Sequence, residues 1–293
     1  MRAVVQRLLG ILGYRLERVN RPVGRAEEIP PMADDPIAAW YRSLGGKPTA
    51  FRCPLSMVRY LNGMGLGPDG WHPFVATARQ IIEGTHDRYE GSVLEWFYDH
   101  WRPEDAAEGL LCFGSHEGPL AGLPNHLISF LPWVARSLEE QDAWVRKWIR
   151  SEFRTHGIPE ARLETDGHKM HGPTSPIVGR MEFRRLRHLV EALAGAGYDR
   201  SFGDTRVEVL IRGDELRFLQ RGGLHRTAVL SALGESHVPA RISGMYNFRH
   251  VESWPQVVEG GWSVEAARVY VDHVMDFDSL HWAEVRGAPS TGG

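Results

Sequence analysis

The residues from 222 to 227, Gly-Gly-Leu-His-Arg-Thr, have the types and spacing of an anion-binding turn. Before them "ELRFLQ" alternates as a strand does, and after them "TAVLSAL" predicts a helix. Glycine allows a positive φ and a close approach of a ligand, and phosphate is the usual anion at a helix N-terminus. The expected phosphate- or nucleotide-binding residues are Gly222, Gly223, Leu224, His225, Arg226 and Thr227. In the alternative, the turn only joins strand to helix, and Arg226 pairs with a surface carboxylate.

Phosphoryl transfer is the chemistry that such a turn would serve. It needs neutralisation of the γ-phosphate charge, usually with Mg²⁺, and a carboxylate that orients or deprotonates the acceptor hydroxyl. Glu182, in "GRMEFRRL", and Asp166, in the polar loop "ETDGHKMHGPTSP", are the candidate carboxylates, and His225 completes the candidate catalytic set. The alternative for Glu182 is an acid that only stabilises the first turn of a helix. The Asp166 loop could lie over the glycine turn as a substrate clamp.

Histidine and hydroxyl side chains outside the turn are the candidates for substrate binding. His171 lies three residues after His168, but no third ligand has a metal-binding spacing, so no metal site is predicted and His171 is assigned to substrate. Tyr89 and Ser92, in "RYEGSVLEWFYDHW", offer hydroxyls to a polar substrate. The aromatic residues around them have a simpler alternative, because aromatics at helical spacing more often form core.

Hydrophobic periodicity predicts the elements that position these residues. "MEFRRLRHLVEALAGAGY" predicts a helix that glycine ends, with Arg184, Arg185 and Arg187 mostly on its polar face. "RVEVLIR" and "ELRFLQ" predict two strands joined by a "GD" turn, and "VPARI" predicts another strand after the next helix. Ser92 begins a capping-box pattern, "SLEEQDAWVRKWIRSEF" predicts a helix, and another is predicted near 264–275.

The chain divides by composition into four stretches. Residues 1–36 hold an amphipathic segment and a linker rich in proline and charge, and residues 37–155 are predicted to be mostly helical and rich in aromatic residues. Residues 156–250 are predicted to form a compact mixed α/β domain, and residues 251–293 a helical extension and a flexible tail. The predicted fold class is therefore α+β.

The stretch "QRGGLHRTAVLSALGESHVPARI" resembles the phosphate-binding segment of the ParB/sulfiredoxin superfamily. In that superfamily a strand leads into glycine and His-Arg or Arg-Arg, followed by a short helix, a Leu-Gly end and a strand beginning with Ile-Pro or Val-Pro. The resemblance covers about residues 175–245 and includes the preceding helix–strand–strand order. It implies a ParB/sulfiredoxin-like domain behind the helical half. The whole chain also resembles bacterial proteins with this arrangement, some encoded near genes for surface polysaccharide biosynthesis.

The branches of the superfamily imply different activities. Sulfiredoxins carry a nucleophilic cysteine where this chain has Leu224, which argues against that activity. ParB proteins add a helix-turn-helix DNA reader, and no such pair of helices is evident after residue 242. Free-serine kinases carry Asp-Gly-His-His-Arg and a glutamate base. This chain keeps the glycine of that motif as Gly223, its second histidine as His225 and its arginine as Arg226, and it has Gly222 at the aspartate position. Glu182 is the possible counterpart of the glutamate by its placement alone.

The kinase branch implies an ATP- or ADP-dependent phosphotransferase acting on a small metabolite or glycan, with Mg²⁺ and with ATP or another nucleoside phosphate as cofactors. The departure at Gly222 puts any magnesium or ribose role of that position in doubt. A non-catalytic module that binds CTP or ATP for regulation or assembly is the second hypothesis, and a DNA-binding ParB-like protein is the third. The net charge of -3 and the isoelectric point near 6.5 argue against nucleic acid as a partner.

The location in the cell is predicted from cysteine usage and hydropathy. Two distant cysteines, Cys53 and Cys112, give no disulfide framework, which favours the cytoplasm. No apolar run approaches the roughly 20 residues that span a bilayer. Residues 1–19 carry four arginines among apolar residues, so weak peripheral contact with a membrane surface is an alternative to a helix docked on the body of the protein.

Overall fold

The computed structural model of the protein describes residues 29–289, apart from the side chains of residues 196 and 202. The predicted amphipathic segment of residues 1–19, its membrane contact and most of the linker lie outside the described residues. Within the described part, no helix has the length and apolar character needed to cross a membrane.

Six strands in the described part of the chain form one mixed sheet. They are β1 (Met32–Ala33), β2 (Ala50–Pro54), β3 (Val58–Arg59), β4 (Thr205–Arg212), β5 (Glu215–Gly222) and β6 (His237–Asn247). Their order across the sheet is β1-β2-β6-β4-β5-β3. β4 pairs antiparallel with β5 and parallel with β6, β6 pairs antiparallel with β2, and the short edge strands β1 and β3 pair in parallel with β2 and β5.

The predicted Gly-Asp turn at residues 213–214 joins β4 to β5 in a hairpin. Arg212 pairs with Glu215 across the two-residue connection, and Gly213 takes the positive φ of 61° that this kind of turn requires. The hairpin and β6 agree with the predicted strands, and β5 ends at Gly222, where the glycine turn begins. The glycine turn therefore lies between the C-terminal end of β5 and the start of α8.

Helices surround this sheet. The α-helices are α1 (Pro36–Leu44), α2 (Pro73–Ile82), α3 (Val93–His100), α4 (Ala106–Gly109), α5 (Leu138–Thr155), α6 (Leu163–Asp166), α7 (Pro176–Ala196), α8 (Leu224–Ala232), α9 (Pro255–Val258), α10 (Val264–Asp276) and α11 (Ser279–Val285). Short 3₁₀ helices lie at Leu55–Met57, Asn125–Ser129, Arg200–Phe202 and Phe248–Ser253. The described chain is thus α+β, as its sequence predicts.

Side-chain caps fix where the helices begin. Ser92 accepts a hydrogen bond of 3.3 Å from the backbone N–H of Glu95, so α3 begins at Val93. The Glu95 carboxylate accepts from Gly91 N at 2.6 Å, so the reciprocal bond of a capping box goes one residue further back. α5 has the complete box, formed by Ser137 and Glu140.

The core brings together residues from both sides of the predicted boundary at 155. α2, α7 and α8 pack against one another, and Phe51, Phe74 and Phe218 belong to one buried hydrophobic cluster. Moreover, β2 and β3 come from the stretch predicted to be mostly helical. Residues before and after the predicted boundary at 155 therefore share one sheet and one core. Both strands are short and "AFRCP" does not alternate in polarity, so periodicity gave no signal for them.

A smaller hydrophobic cluster joins α5 to α7. Val145, Ile149 and Phe153 of α5 lie at helical spacing and pack with Val178 and Met181 of α7. All five side chains are buried. This contact sets the charged side chains of α5 opposite those of α7, which matters for the site.

Candidate functional site

The glycine turn presents the N-terminus of α8 without a side-chain cap. Gly223 is the N-cap residue, with φ 84° and ψ 22° in the left-handed region, and among the described residues no side chain caps the first amides of the helix. A Cβ atom at this position would also lie 3.0 Å from Cγ2 of Thr205. Both conformation and space therefore require glycine here. The uncapped amides give this end of α8 hydrogen-bond donors and partial positive charge.

A cavity of about 700 Å³ lies in front of this turn. Its wall includes residues 222–226, Trp144, Trp148 and Glu152 from α5, Lys169 and His171 from the following loop, and Arg185 from α7. Cavities that hold small molecules usually measure roughly 300–1,000 Å³. Thr227 is fully buried, does not line the cavity, and its hydroxyl has no hydrogen-bond partner among the described residues.

Glu182 of α7 and His225 of α8 form a buried pair. Oε2 of Glu182 is hydrogen-bonded to Nε2 of His225, and the ring of Phe74 packs 4.8 Å from the imidazole. Burial opposes the charge of Glu182, but Arg185 and His225 outweigh it and lower the pKa of this carboxyl to about 2. Burial, followed by the charge of Arg185, lowers the pKa of His225 to about 4. At neutral pH the carboxylate is therefore ionised and the imidazole neutral.

Arg185 connects this pair to a second buried carboxylate. Its Nη1 lies 3.2 Å from Glu182 and 2.8 Å from Glu152. Glu152 also contacts Nζ of Lys169 at 2.9 Å and Nε2 of His168 at 2.6 Å. Burial opposes the ionisation of Glu152, but Lys169 and these other neighbours hold its pKa well below the usual range. Two carboxylates are thus balanced by one lysine and one arginine.

The wall of the cavity carries more positive than negative charge. Its cationic residues are Lys169, Arg185, Arg206, Arg221 and Arg226, whereas Glu152 is the one carboxylate in the wall within the described part of the chain. Arg226 donates from Nη1 to the carbonyl of Gly203 and lies 3.4 Å from the hydroxyl of Tyr198. Lys169 and Arg185 are balanced by Glu152 and Glu182, and Arg221 lies 3.4 Å from Glu208, so the surplus comes from the arginines beside the glycine turn and favours an anionic ligand there.

The predicted site residues fall into two groups. Residues 222–226, which include His225, and His171 border the cavity, and Glu182 is hydrogen-bonded to His225. Asp166 does not border it: its carboxylate accepts from Arg162 N at 2.8 Å and from the Ser175 hydroxyl at 2.7 Å. These bonds fix the ends of the loop, because they close it across residues 162–175.

Tyr89 and Ser92 also lie away from the cavity. Tyr89 is buried against Gly179 of α7, where any Cβ would collide with its ring, and it borders a separate cleft of about 370 Å³. The Ser92 hydroxyl caps α3 and donates to Tyr89 O at 2.6 Å. Their hydroxyls therefore cannot contact a ligand held at residues 222–226.

The two histidines of the loop have separate partners. Nε2 of His171 is 2.7 Å from the hydroxyl of Tyr60, while Nε2 of His168 contacts Glu152. Nδ1 of each is buried without a partner among the described residues. One nitrogen of His168 and oxygens of Glu152 and Glu182 lie within 4.8 Å of one another, but Lys169 and Arg185 already neutralise these carboxylates. A cation would have to displace them.

The residues of the cavity do not fit a protein-bound Mg²⁺ ion. Magnesium is held by oxygen ligands, usually one or two carboxylates together with substrate phosphates and water. The carboxylate of Glu152 is already shared by Lys169, Arg185 and His168. Gly222, at the position where the kinase branch has aspartate, adds no oxygen ligand from a side chain.

Sequence reasoning missed three charged residues of the site and misplaced one of them. Arg185, predicted on the polar face of its helix, keeps only 19% of its side chain exposed and points to Glu182 and Glu152. The i, i+3 spacing of Glu182 and Arg185 was the available signal. Lys169 also had one: the chain has three lysines, and it is the one next to the histidines of the loop. Glu152 had none.

Comparison with protein-family models, curated proteins and solved structures finds no significant match to this chain.

Proposed function

We propose that this protein is a nucleotide-dependent phosphotransferase that acts on a hydroxyl of a small metabolite or glycan. One observation carries the proposal: the cavity before residues 222–226 combines an uncapped helix N-terminus, a surplus of cations and a histidine paired with a buried carboxylate. The resemblance of residues 220–242 to the ParB/sulfiredoxin superfamily supports the same assignment.

The glycine turn binds the phosphates of the donor, ATP or another nucleoside phosphate. The amides at the start of α8 donate to phosphate oxygens, and the partial charge of the helix end favours them. Arg206, Arg221 and Arg226 stand at the same wall and neutralise charge. Arginine matches phosphate geometry because its guanidinium can donate two parallel hydrogen bonds.

His225 accepts the proton of the acceptor hydroxyl. Its Nε2 is engaged by Glu182, so Nδ1 is the nitrogen left for a ligand. As the acceptor oxygen bonds to the terminal phosphorus, the bond from that phosphorus to the bridging oxygen breaks and the shortened nucleotide leaves. The hydroxyl proton passes to Nδ1, and ionised Glu182 stabilises the imidazolium that forms. No step of this account needs a protein-bound metal.

A nucleotide screen tests the binding half of the proposal. We expect one class of nucleoside phosphate to raise the melting temperature, since a ligand at 100 times its Kd stabilises by about 2.7 kcal/mol. The shift should be lost in Arg226→Ala, each variant being compared with its own unliganded sample, and kept in Arg150→Ala, which removes an exposed arginine of α5. Absence of any shift in the wild-type protein would contradict the proposal.

Turnover tests the catalytic half. The bound nucleotide is incubated with a panel of hydroxy amino acids, sugars and polyols, and new phosphomonoesters are followed by ³¹P NMR. We expect one acceptor class to be phosphorylated by the wild type and by Glu191→Gln, an exposed change on α7, but not by Glu182→Gln.

A non-catalytic nucleotide-binding module is the second candidate. It is favoured by Gly222 in place of an acid and by the pairing of Glu152, the carboxylate in the cavity wall, with Lys169. A regulator would bind the nucleotide with the same dependence on Arg226 but would yield no product with any acceptor, with or without Mg²⁺. Binding and turnover measured on the same samples therefore separate the two candidates.

A further inference from the structure

Lys169 has a backbone conformation that lysine rarely adopts. Its φ is 48°, in the left-handed region, between Gly167 with φ 65° and Gly172 with φ 120°. A side chain with a Cβ is strained there, and such residues persist where their surroundings fix them, often at functional sites. Two of the three positive-φ positions in this loop are glycines, and the third is a lysine.

The lysine is also exceptional by its burial. The chain has 34 basic residues of the Lys and Arg types, of which three are lysines: Lys47, Lys147 and Lys169. Lys47 and Lys147 are exposed, whereas Lys169 is 6% exposed. Burial, the largest cause, lowers the pKa of Lys169, opposed by Glu152 and Glu182. Most cationic side chains of this protein are arginines, whereas this buried position has the compact ammonium of a lysine.

The Lys169 ammonium shares its carboxylate partner, Glu152, with other residues. Nζ is 2.9 Å from Glu152 and 4.4 Å from the ring centre of Trp148. Glu152 is shared with Arg185 and His168. Lys169 and Arg185 therefore share Glu152, and Glu182 completes the charge balance of the two cations. Lys169 also borders the cavity, and its ammonium has three N–H donors, of which an anionic ligand can accept at least one.

Arg185 relates Lys169 to the proton acceptor. It contacts Glu152, the partner of Lys169, and also Glu182, the partner of His225. Lys169 therefore borders the same cavity as His225, and ion pairs connect it to Glu182, which is hydrogen-bonded to His225. In a phosphotransferase, the phosphoryl group in flight lies next to the base that deprotonates its acceptor.

We propose that Lys169 is a catalytic residue whose ammonium binds the terminal phosphoryl group of the donor and stabilises its charge during transfer. This inference rests on the proposed function. It assigns the terminal phosphate to Lys169 and the remaining phosphates to the glycine turn and its arginines.

The test compares the affinity for the donor with that for the product one phosphate shorter, on the full chain. We expect the wild type to bind the donor at least 10-fold more tightly, and Lys169→Met to reduce this preference to within 3-fold with unchanged affinity for the shorter nucleotide. We also expect kcat to fall at least 100-fold. Lys147→Met, an exposed change, should keep both values, and Lys169→Arg should restore part of the preference.

A labelling experiment tests the wild type if the variants fail to fold. Limited acetylation with mass spectrometry follows all three lysines separately. We expect the donor to slow modification of Lys169 at least 5-fold, the shorter nucleotide to slow it less, and neither to affect Lys47 or Lys147. Equal protection by both nucleotides, or an unchanged preference in Lys169→Met, would overturn the role proposed for Lys169 but not the proposed function. A wild type that binds no nucleotide would overturn the proposed function instead.

Discussion

The imidazole of His225, from the first turn of α8, is bonded through Nε2 to the fully buried carboxylate of Glu182 on α7. The two residues are 43 positions apart. An ionised carboxylate accepts from an imidazole N–H, so this bond places the ring proton on Nε2 and leaves Nδ1 as the basic nitrogen. The pair thus fixes both the orientation and the tautomer of a histidine at a cavity wall.

Replacing Glu182 by glutamine should weaken folding and activity together. Arg185 and His225 lose a charged partner in a buried place, so we expect about 3–5 kcal/mol less stability in urea unfolding. In the proposed reaction, kcat should fall by about 10²–10⁴-fold because the tautomer of His225 is no longer fixed. Glu191→Gln, with 66% of its side chain exposed, is the control and should change both values little. A stable, fully active Glu182→Gln protein would contradict this account.

A single methyl group at Gly223 should damage the turn. The φ of 84° is unfavourable for alanine, and the new Cβ approaches Thr205. We expect Gly223→Ala to destabilise the protein by about 1–3 kcal/mol and to abolish the nucleotide-induced thermal shift. The measurement is the melting temperature with and without nucleotide.

Gly195 provides the matched control for that substitution. It lies within α7, where an added Cβ has no neighbour within 4 Å. Gly195→Ala should stabilise by up to about 1 kcal/mol, since alanine favours helix, and should leave binding unchanged. Equal effects of the two changes would show that the left-handed turn is not the sensitive position.

The sequence predicted the elements that follow a clear period. The hairpin of β4 and β5, helix α8, strand β6 and the long helices α5, α7 and α10 all agree with alternation or helical spacing. β2 and β3 were missed because they are short, and because their long-range partners, β6 and β5, lie far along the chain. Tertiary pairing, rather than local pattern, makes them strands.

The candidate site was predictable where its residues adjoin in sequence. Residues 222–226 and His171 border the cavity. The partner of His225 is Glu182 on α7 and the partner of Lys169 is Glu152 on α5, and neither partner adjoins its residue in the sequence. The pair of His225 and Glu182 depends on how α8 packs against α7, and the contact of Arg185 with Glu152 depends on how α5 packs against α7. No local motif encodes either packing. Asp166 shows the converse, because a polar loop residue served the loop itself.

The hydroxyl of Tyr60 should matter for stability whereas that of Tyr98 should not. Tyr60 bonds Nε2 of His171 at 2.7 Å in a buried place, and the other nitrogen of His171 has no partner among the described residues. Tyr60→Phe would leave that imidazole without a hydrogen bond, so we expect a loss of about 1–3 kcal/mol in urea unfolding. The Tyr98 hydroxyl is buried and has no partner in the described part of the chain. Tyr98→Phe should therefore be neutral or slightly stabilising, and a reversed order of the two variants would contradict the assignment.

Acid should destabilise the protein from about pH 6.5 downward. Burial lowers the pKa of His225 to about 4 and that of His72 to about 3, while each titrates near 6.5 in the unfolded chain. Between these values the unfolded state binds more protons, so the free energy of unfolding falls as pH falls. Glu182, with its pKa lowered to about 2 by Arg185 and His225 against the opposing effect of burial, adds a loss of the same sign below about pH 4.5.

Urea unfolding at pH 7.5, 6.0 and 5.0 measures this dependence. Each histidine contributes at most about 1.4 kcal/mol per pH unit. His225→Gln removes one titrating group, so its stability should depend less steeply on pH between 6.5 and 4, although it starts from a lower value at pH 7.5 because Glu182 loses its imidazole partner. Identical slopes in the wild type and the variant would mean that His225 is protonated as readily in the folded protein as in the unfolded chain, and the buried pair with Glu182 could not then hold a neutral imidazole ready to accept a proton.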